Sequence, residues 1–367
     1  MEEQSTTGAA ADAAAPASTA ATRNIPFEFR ATGGEYFRIW IVNLLLTIVT
    51  LGIYSAWAKV RRLRYFYGST LLDGASFEYH GRPIAILKGR LIVVGAYMIF
   101  LLVSHFLPLI TFIIIPLFIF AVPWIVQRSR LFQMRMSSWR GLRFNFTGTY
   151  GGAMGAYVGW AIVAAITLYV LVPIWLWKRV NYLLSNSSYG GERFRFTTPI
   201  GRYFGFYFKT IGLMLLLGIL AGILVGAAAA GAGKPAVEPG NPYSIFMHAP
   251  VMLAFIILGV LGLGIAGYYQ KSFINASFGG LEIGNHKVRS ELRAWPLIGI
   301  YVSNFLLIVL TLGLFYPWAK VRQMRYQLDN TSIDAQGGFD EFRAGAEADA
   351  SAVGEEVGDF FDVDFGL

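Results

Sequence analysis

The feature that most constrains the fold of this chain is a stretch of 31 residues that occurs twice. Residues 43–73 read NLLLTIVTLGIYSAWAKVRRLRYFYGSTLLD, and residues 304–334, displaced by 261 positions, read NFLLIVLTLGLFYPWAKVRQMRYQLDNTSID. Fifteen of the 31 positions are identical without a gap, among them the unbroken run Trp57 to Arg61. So close an agreement predicts an internal duplication, and it favours a fold in which the two copies occupy equivalent places.

Each copy is an apolar segment that runs into tryptophan and then at once into lysine and arginine. This order is typical of a transmembrane helix where it leaves hydrocarbon for anionic headgroups. On a helix, the tryptophan and two of the arginines of each copy share one face at positions i, i+4 and i+7. The residues expected at the lipid headgroups are Trp57, Lys59, Arg61 and Arg64 in the first copy and Trp318, Lys320, Arg322 and Arg325 in the second. We favour an interfacial anchor with snorkelling side chains over a binding site for lipid phosphate.

The composition supports a membrane protein. Hydrophobic residues make up 55% of the chain and charged residues 14%, whereas ordinary soluble domains carry roughly a quarter charged residues. The net charge of +8 hides an asymmetry, because residues 329–367 contain 11 acidic side chains and one arginine. The part before this tail is therefore strongly basic, and the tail is strongly acidic. The chain has no cysteine, which excludes disulfides and thiolate chemistry.

Weaker versions of the duplicated pattern occur between the two copies. The pattern of tryptophan, arginine, glycine and then two aromatic residues with one residue between them occurs twice more, beginning at Trp124 with Arg128 and at Trp175 with Arg179. A fourth version, around residues 268–284, lacks the tryptophan and the arginine. We interpret the chain as five modules, each with an apolar segment, an aromatic and basic exit, a glycine turn and an F-x-F segment. Such repeats are common in transporters, which bind substrate between repeats, but they also arise by simple duplication.

The pattern predicts an all-α polytopic membrane protein with about seven apolar helical segments, built from internal repeats, and with short polar, strand-like insertions on the cytoplasmic side. The segments lie near residues 36–57, 87–107, 108–126, 153–177, 203–230, 250–269 and 295–318. They belong to a membrane domain of residues 27–339. We expect a disordered segment, 1–26, before this domain and a disordered acidic tail, 340–367, after it.

Seven crossings conflict with the charges of the loops. Four polar stretches are all net positive, namely residues 58–82, 127–143, 178–202 and 271–293. Positive loops prefer the cytoplasm, and seven simple crossings cannot place all four there. Re-entrant hairpins would remove the conflict, with breaks at residues 50–52 and 311–313, which read Thr-Leu-Gly in both copies. We nevertheless expect seven crossings, because the segments have the length of a span and lack a central proline.

The stretch YFRIWIVNLLLTIVTLGIYSAWAKVRRLRYFYGSTLLDGASFEYHG, residues 36–81, resembles the YjgN family of bacterial inner-membrane proteins, a domain of unknown function, number 898. The core W-A-K-V-R-x-x-R-Y and the downstream G-x-x-F-x-Y-x-G carry this resemblance, which covers nearly all of residues 27–339. It implies a polytopic protein of the bacterial cytoplasmic membrane and supplies no biochemical activity. Genes of such proteins often stand beside one for a membrane zinc metallopeptidase, so the resemblance implies a metallopeptidase as a membrane partner.

The sequence offers little that could carry catalysis. It contains no G-x-x-x-x-G-K-[ST] phosphate loop, no H-E-x-x-H zinc motif and no G-x-S-x-G elbow. The four histidines stand singly, without a second metal ligand at i+3 or i+4. We therefore expect no enzyme activity, no cofactor and no metal. We also expect no nucleic acid as a partner, because the basic residues flank apolar segments and a bilayer with anionic headgroups accounts for them.

Two polar residues at membrane depth are the remaining candidates for a functional role. Asn43 and Asn304 occupy equivalent places in the two copies. Polar groups at such depth are costly and often functional, although an amide that bonds a neighbouring helix is the simpler interpretation. The expected function is transport or a channel for a small solute or lipid in the bacterial inner membrane. The alternative is a non-catalytic membrane scaffold that binds partners through the acidic tail and the F-x-F segments.

Overall fold

The computed structural model describes residues 22–231, 249–339 and 342, and in this part the chain forms ten strands and eleven α-helices. The strands are β1 (Thr22–Phe29), β2 (Thr70–Leu72), β3 (Ala75–Tyr79), β4 (Ser137–Trp139), β5 (Leu142–Phe146), β6 (Ser187–Tyr189), β7 (Glu192–Phe196), β8 (Leu281–Ile283), β9 (His286–Ser290) and β10 (Thr331–Gln336). The helices are α1 (Gly33–Val49), α2 (Ser55–Gly68), α3 (Pro83–Phe106), α4 (Thr111–Arg135), α5 (Tyr150–Ala153), α6 (Trp160–Ile166), α7 (Val172–Ser185), α8 (Ile200–Gly231), α9 (Ala249–Phe278), α10 (Ala294–Leu310) and α11 (Tyr316–Asp329). A π-helical segment, Met154–Gly159, joins α5 to α6.

The strands form one closed antiparallel barrel in the order β1-β10-β9-β8-β7-β6-β5-β4-β3-β2. The strands β2 to β9 form four tight hairpins, each made of two consecutive strands. In the first three, both turn residues have positive φ, as in Asp73 and Gly74, which is the geometry of a two-residue hairpin turn. β1 closes the barrel, because residues 22–26 pair with β10 and residues 27–29 pair with β2. The two ends of the described chain thus complete the barrel together.

The helices are grouped in pairs, and each pair leaves the barrel from one strand and returns to it at the next. The pairs are α1 with α2, α3 with α4, α5 and α6 with α7, α8 with α9, and α10 with α11. The first helix of each pair also packs against the last helix of the preceding pair, and α1 packs against α11. The helices therefore form a closed ring on one side of the barrel. In the four pairs whose turn the structure describes, this turn lies at the end far from the strands.

Three pairs are too short to span a bilayer. α1 and α2 contain 17 and 14 residues, which corresponds to ~26 and ~21 Å at ~1.5 Å per residue, against a hydrocarbon core of ~30 Å. α10 and α11 have the same lengths. In the described part of the chain, three helices are long and apolar enough to cross a membrane, namely α3, α8 and α9. The ring therefore combines long and short helical pairs.

The short pairs turn at a threonine followed by residues with positive φ. In both Thr-Leu-Gly segments the leucine and the glycine have φ of 50° and 92°. The backbone N–H of Gly52 donates to the carbonyl of Thr47 at 2.7 Å. The Thr50 hydroxyl accepts from the N–H of Tyr54 at 2.9 Å and so begins the second helix. The turn between α6 and α7 has the same form, with positive φ at residues 168 and 169.

This architecture shows that the expected fold was wrong. The protein is not all-α, because the F-x-F segments are strands of a barrel. It is not a bundle of seven spans either, because the segments near 36–57, 153–177 and 295–318 each divide into a helical pair. The prediction failed because each divided segment has the length of one span and no proline at its centre, and the prolines at residues 173 and 317 lie only at the start of the second helix. The charges of the loops, which conflicted with seven crossings, pointed to these breaks.

The chain ends also differ from the expectation in two places. β1 begins at Thr22, inside the segment 1–26 that we expected to be disordered, and residues 1–21 lie outside the described part. The acidic tail, 340–367, also lies outside it apart from Phe342. Phe342 is buried in the barrel together with Phe339, and their ring centroids are 6.1 Å apart. The start of the tail thus belongs to the barrel core.

Candidate functional site

A cleft of about 580 Å³ opens between the first and the last helical pairs. α1 and α2 form one wall, α10 and α11 with their turn form the other, and one arginine of α3 closes a side. The lining residues are Tyr36, Trp40, Asn43, Leu44, Thr47, Ser55, Ala58, Lys59, Arg62, Arg90, Ile308, Gly313 and Tyr316. The cleft therefore lies between the helices that carry the two most similar stretches of the sequence.

Three cations line this cleft, and they stand at a similar depth. Counting ~1.5 Å per residue, Lys59 lies ~14 Å from the barrel end of α2 and Arg90 lies ~11 Å from the barrel end of α3. Arg90 donates a hydrogen bond to the hydroxyl of Ser55. Arg62 has no hydrogen bond or ion pair within the part of the chain that the structure describes. Part of the positive charge is thus available to a ligand.

Few negative charges balance these cations. The described helices contain two carboxylates, Glu35 and Asp329, and neither lines the cleft. Burial lowers the pKa of Lys320 on the adjacent helix α11, and repulsion from Arg62 lowers this pKa further. Like charges at close range cost free energy, which an anion bound between them would recover.

The cleft has no histidine or carboxylate in its lining, and among all described residues no group of three His, Asp or Glu could hold a metal ion.

The two equivalent asparagines have different surroundings. Both are buried, with 7% of their surface exposed. The Nδ2 of Asn304 donates to the carbonyl of Ala319 at 3.2 Å, and its Oδ1 accepts from Nη1 of Arg322 at 2.9 Å. Asn43 lines the cleft, and its Oδ1 has no hydrogen-bond partner among the described residues. Arg61, which corresponds to Arg322, is exposed to solvent instead. Asn43 therefore has an amide free to bond a ligand.

Two of the arginines predicted at the headgroups join neighbouring helical pairs. Arg64 donates to the carbonyl of Gly81 at 3.3 Å, and Arg325 donates to the carbonyl of Ala31 at 2.7 Å. Gly81 and Ala31 each lie just before the first helix of the following pair. Arg64 and Arg325 thus make equivalent hydrogen bonds, and each bond joins one helical pair to the next.

The two predicted tryptophans pack within the ring of helices. The ring of Trp318 lies 4.9 Å from that of Phe37 on α1, measured between centroids. Trp57 is half-buried and stacks on Tyr54 at 6.1 Å. Of all the predicted site residues, the cleft brings together only Asn43 and Lys59; Asn304, Arg61, Lys320 and Arg322 lie outside its lining.

The site residues expected from the sequence include neither Arg62 nor Arg90. Arg62 has no counterpart in the second copy, where Gln323 stands at the corresponding position. Arg90 lies on α3, outside the duplicated stretch and two residues after Lys88. From the sequence alone, a cation near the end of an apolar segment is interpreted as a side chain that snorkels to the interface. A cation in an apolar helix is also a signal of function, and the place of Arg90 in the cleft agrees with that second interpretation.

Comparison with known proteins assigns the chain to a family. Residues 24–360 match the family described as "Bacterial protein of unknown function (DUF898)". Inner membrane protein YjgN of Salmonella typhimurium strain LT2 is 23% identical over 351 residues, which cover 85% of this chain and 88% of that protein. Inner membrane protein YjgN of Escherichia coli strain K12 is 25% identical over 358 residues, which cover 84% of this chain and 88% of that protein. No solved structure matches.

These matches confirm the resemblance seen in the sequence and support a location in the inner membrane. The family match extends over most of the chain, from the first strand of the barrel past its last strand. It therefore covers the barrel, the ring of helices and the cleft. The chain is a member of the DUF898 family, and the relatives it resembles are inner-membrane proteins.

Proposed function

We propose that this protein binds the phosphate group of an anionic lipid in the cleft and transports that lipid within the bacterial inner membrane, without catalysing a reaction. The observation that carries the proposal is the group of three cations, Lys59, Arg62 and Arg90, in a cleft without carboxylates. Charge-assisted hydrogen bonds from arginine and lysine are the usual means of holding phosphate. Asn43 would add one more donor after rotation of its amide.

The proposed membrane arrangement is multi-pass, with the barrel on the cytoplasmic side. Leu51 and Leu312, at the turns of two short pairs, are each 94% exposed, and such side chains favour hydrocarbon over water. The positive stretches of the sequence lie near the barrel end of the helices, as the positive-inside rule requires of a cytoplasmic face. The long helices would cross the bilayer, and the short pairs would enter from the barrel side and return.

The composition of the cleft favours a lipid over a soluble anion. Lys59 and Arg62 lie ~14 and ~9 Å from the barrel end of α2, whereas Gly313 belongs to a turn at the far end of the helices. Leu44 and Ile308 add apolar surface to the same cleft. A phosphate at the cations with an alkyl chain along the apolar wall would satisfy both parts of the lining.

The position of the cleft supports transport. Transporters built from repeats bind their substrate between repeats, and this cleft lies between helices whose bounds are related by the shift of 261 residues, α1 with α10 and α2 with α11. We propose that an internal duplication produced these helices. We propose that these two pairs shift relative to each other during transport, which would open a path for a headgroup through the cleft.

The binding part of the proposal is tested with one pair of variants. Both Arg61 and Arg62 are exposed; Arg62→Gln removes the one that lines the cleft, and Arg61→Gln removes its neighbour in sequence, which does not line it. We expect Arg62→Gln to weaken binding of phosphatidylglycerol about tenfold, since one charge-assisted contact contributes about 1.4 kcal/mol or more. Arg61→Gln should stay within about twofold of the unmodified protein. Native mass spectrometry of the detergent-solubilised full chain measures both affinities.

Equal losses of phosphatidylglycerol affinity in the two variants would contradict binding in the cleft. Such a result would indicate only a general attraction of the anionic lipid to the basic surface. Competition by inorganic phosphate at similar concentration would identify a soluble anion as the ligand. Transport is measured separately, with the protein in liposomes that contain a fluorescent phosphatidylglycerol. We expect faster movement of this lipid between leaflets, and slower movement with Arg62→Gln. Tight binding without movement would instead support the scaffold, for which a metallopeptidase stays the predicted partner.

A further inference from the structure

The barrel interior contains a girdle of five cross-strand pairs. Three of the pairs join the second strand of one hairpin to the first strand of the next, and the other two join β1 to β2 and β9 to β10. The pairs are Phe27–Leu72, Phe77–Trp139, Phe144–Tyr189, Phe194–Ile283 and Val288–Ile333. The strands β1, β3, β5 and β7 each contribute a phenylalanine. The centroids of consecutive phenylalanine rings are 6.2, 6.5 and 6.4 Å apart. In the fifth pair both residues are aliphatic, and valine takes the place of phenylalanine.

A cavity of about 360 Å³ lies inside the barrel and includes this valine in its lining. At the end that faces the helices it is bounded by Ile274, Phe278, Met324 and Leu328, which belong to α9 and α11. At the hairpin-turn end it is bounded by Phe339 and Phe342. α9 leads directly into the hairpin that carries Val288, and α11 leads into the strand paired with it. The cavity thus extends toward the one side of the girdle that lacks an aromatic ring.

The lining is almost entirely apolar. The polar side chains among the lining residues are His286, Gln327 and Thr331, beside the phenolic group of Tyr189. Protein interiors are normally close-packed, and an empty cavity forfeits the contacts of all the atoms around it. Water does not readily fill an apolar cavity either, because the lining offers it too few hydrogen-bond partners. A volume of this size, by contrast, falls within the range of roughly 300–1,000 Å³ of small-molecule sites.

We propose that the barrel binds one unbranched alkyl chain in this cavity, which enters from the membrane side between the ends of α9 and α11. At that end Met324, Leu328 and Ile274 are flexible or aliphatic, and Gln327 and Thr331 are the polar side chains beside them. Phe339 and Phe342 close the opposite end, where their ring centroids lie 4.9 and 5.3 Å from that of His286. The chain could belong to a fatty acid or to a membrane lipid. This site is separate from the cleft and does not depend on its function.

Quenching of tryptophan fluorescence tests the proposal, because Trp139 lines the cavity. Dibromostearic acid carries bromine on an alkyl chain and quenches tryptophan on contact. With the full chain in nanodiscs of unbrominated lipid, we expect a saturable loss of fluorescence that the Trp139→Phe variant lacks. A second arm replaces the free acid with a phospholipid that carries the same brominated chain. Saturable quenching that depends on Trp139 supports the site, and the probe that produces it identifies the source of the chain.

Filling the cavity provides the decisive comparison. Val288→Phe restores the aromatic girdle, and we expect it to weaken saturable quenching at least tenfold. Lys287→Phe adds the same ring to the exposed outer face of β9 and should leave quenching within twofold. If Val288→Phe does not fold, Met324→Phe fills the same space from α11. Undiminished saturable quenching in the folded, filled variant would overturn the proposal, as would quenching that never saturates in the unmodified protein.

Discussion

Asn304 joins the two helices of its pair, whereas Asn43 lines the cleft and has a buried amide oxygen without a hydrogen-bond partner among the described residues. The sequence predicted that the two residues occupy equivalent places, but their hydrogen bonds could not be predicted from it. The difference depends on Arg322 and Arg61, which are identical in type and take different directions. The direction of a long side chain depends on its neighbours in three dimensions, and these come from distant parts of the chain.

This difference predicts unequal effects of the same substitution. Asn304→Ala leaves the guanidinium of Arg322 and the carbonyl of Ala319 without their partner, and should lower the free energy of unfolding by about 1–3 kcal/mol. Asn43→Ala removes an amide whose oxygen is unbonded, and should cost less than about 1 kcal/mol while weakening phosphatidylglycerol binding. Denaturant unfolding in detergent measures both values. Equal losses of stability would contradict the different roles of the two asparagines.

Among the secondary-structure elements, the short helical pairs show most clearly what the sequence could and could not predict. The two Thr-Leu-Gly segments were recognised as candidate breaks, and the helices do end there. The turn between α6 and α7 was not recognised, because positive φ falls on Leu168 and Tyr169 rather than on glycine. The strands were visible only as F-x-F alternation, since several of them contain three residues and become stable only when paired.

The contact between α1 and α11 predicts a sharp difference between two adjacent glycines. A Cβ atom on Gly33 would lie 2.1 Å from Cδ1 of Trp318, whereas a Cβ atom on Gly34 would have no heavy atom within 4 Å. Gly33→Ala must therefore displace the tryptophan ring and should destabilise the protein by about 1–3 kcal/mol. Gly34→Ala should be neutral or slightly stabilising. Thermal unfolding followed by tryptophan fluorescence compares the two, and equal midpoints would show that Trp318 does not pack here.

For the whole molecule, the barrel joins strands from both ends and from the middle of the described chain. Closure requires the last strand, β10, to meet the first, β1, across more than 300 residues, as in the pair Thr22 and Gln336. The family and the inner-membrane location were accessible from the sequence. Closure was not, because it depends on pairing between segments far apart in the chain, and no single segment shows it.

We expect all five helical pairs to leave and return to the same side of the membrane. The absence of native cysteine allows single cysteines to be placed at Ser76, Arg143, Arg193 and Lys287, one exposed position in each β-hairpin. Labelling of intact cells and inverted vesicles with a membrane-impermeant maleimide reports the side of each residue. We expect all four cysteines to react from the cytoplasmic side only. Reaction of Arg193→Cys and Lys287→Cys from the periplasmic side, with Ser76→Cys and Arg143→Cys still cytoplasmic, would contradict the barrel and its helical pairs.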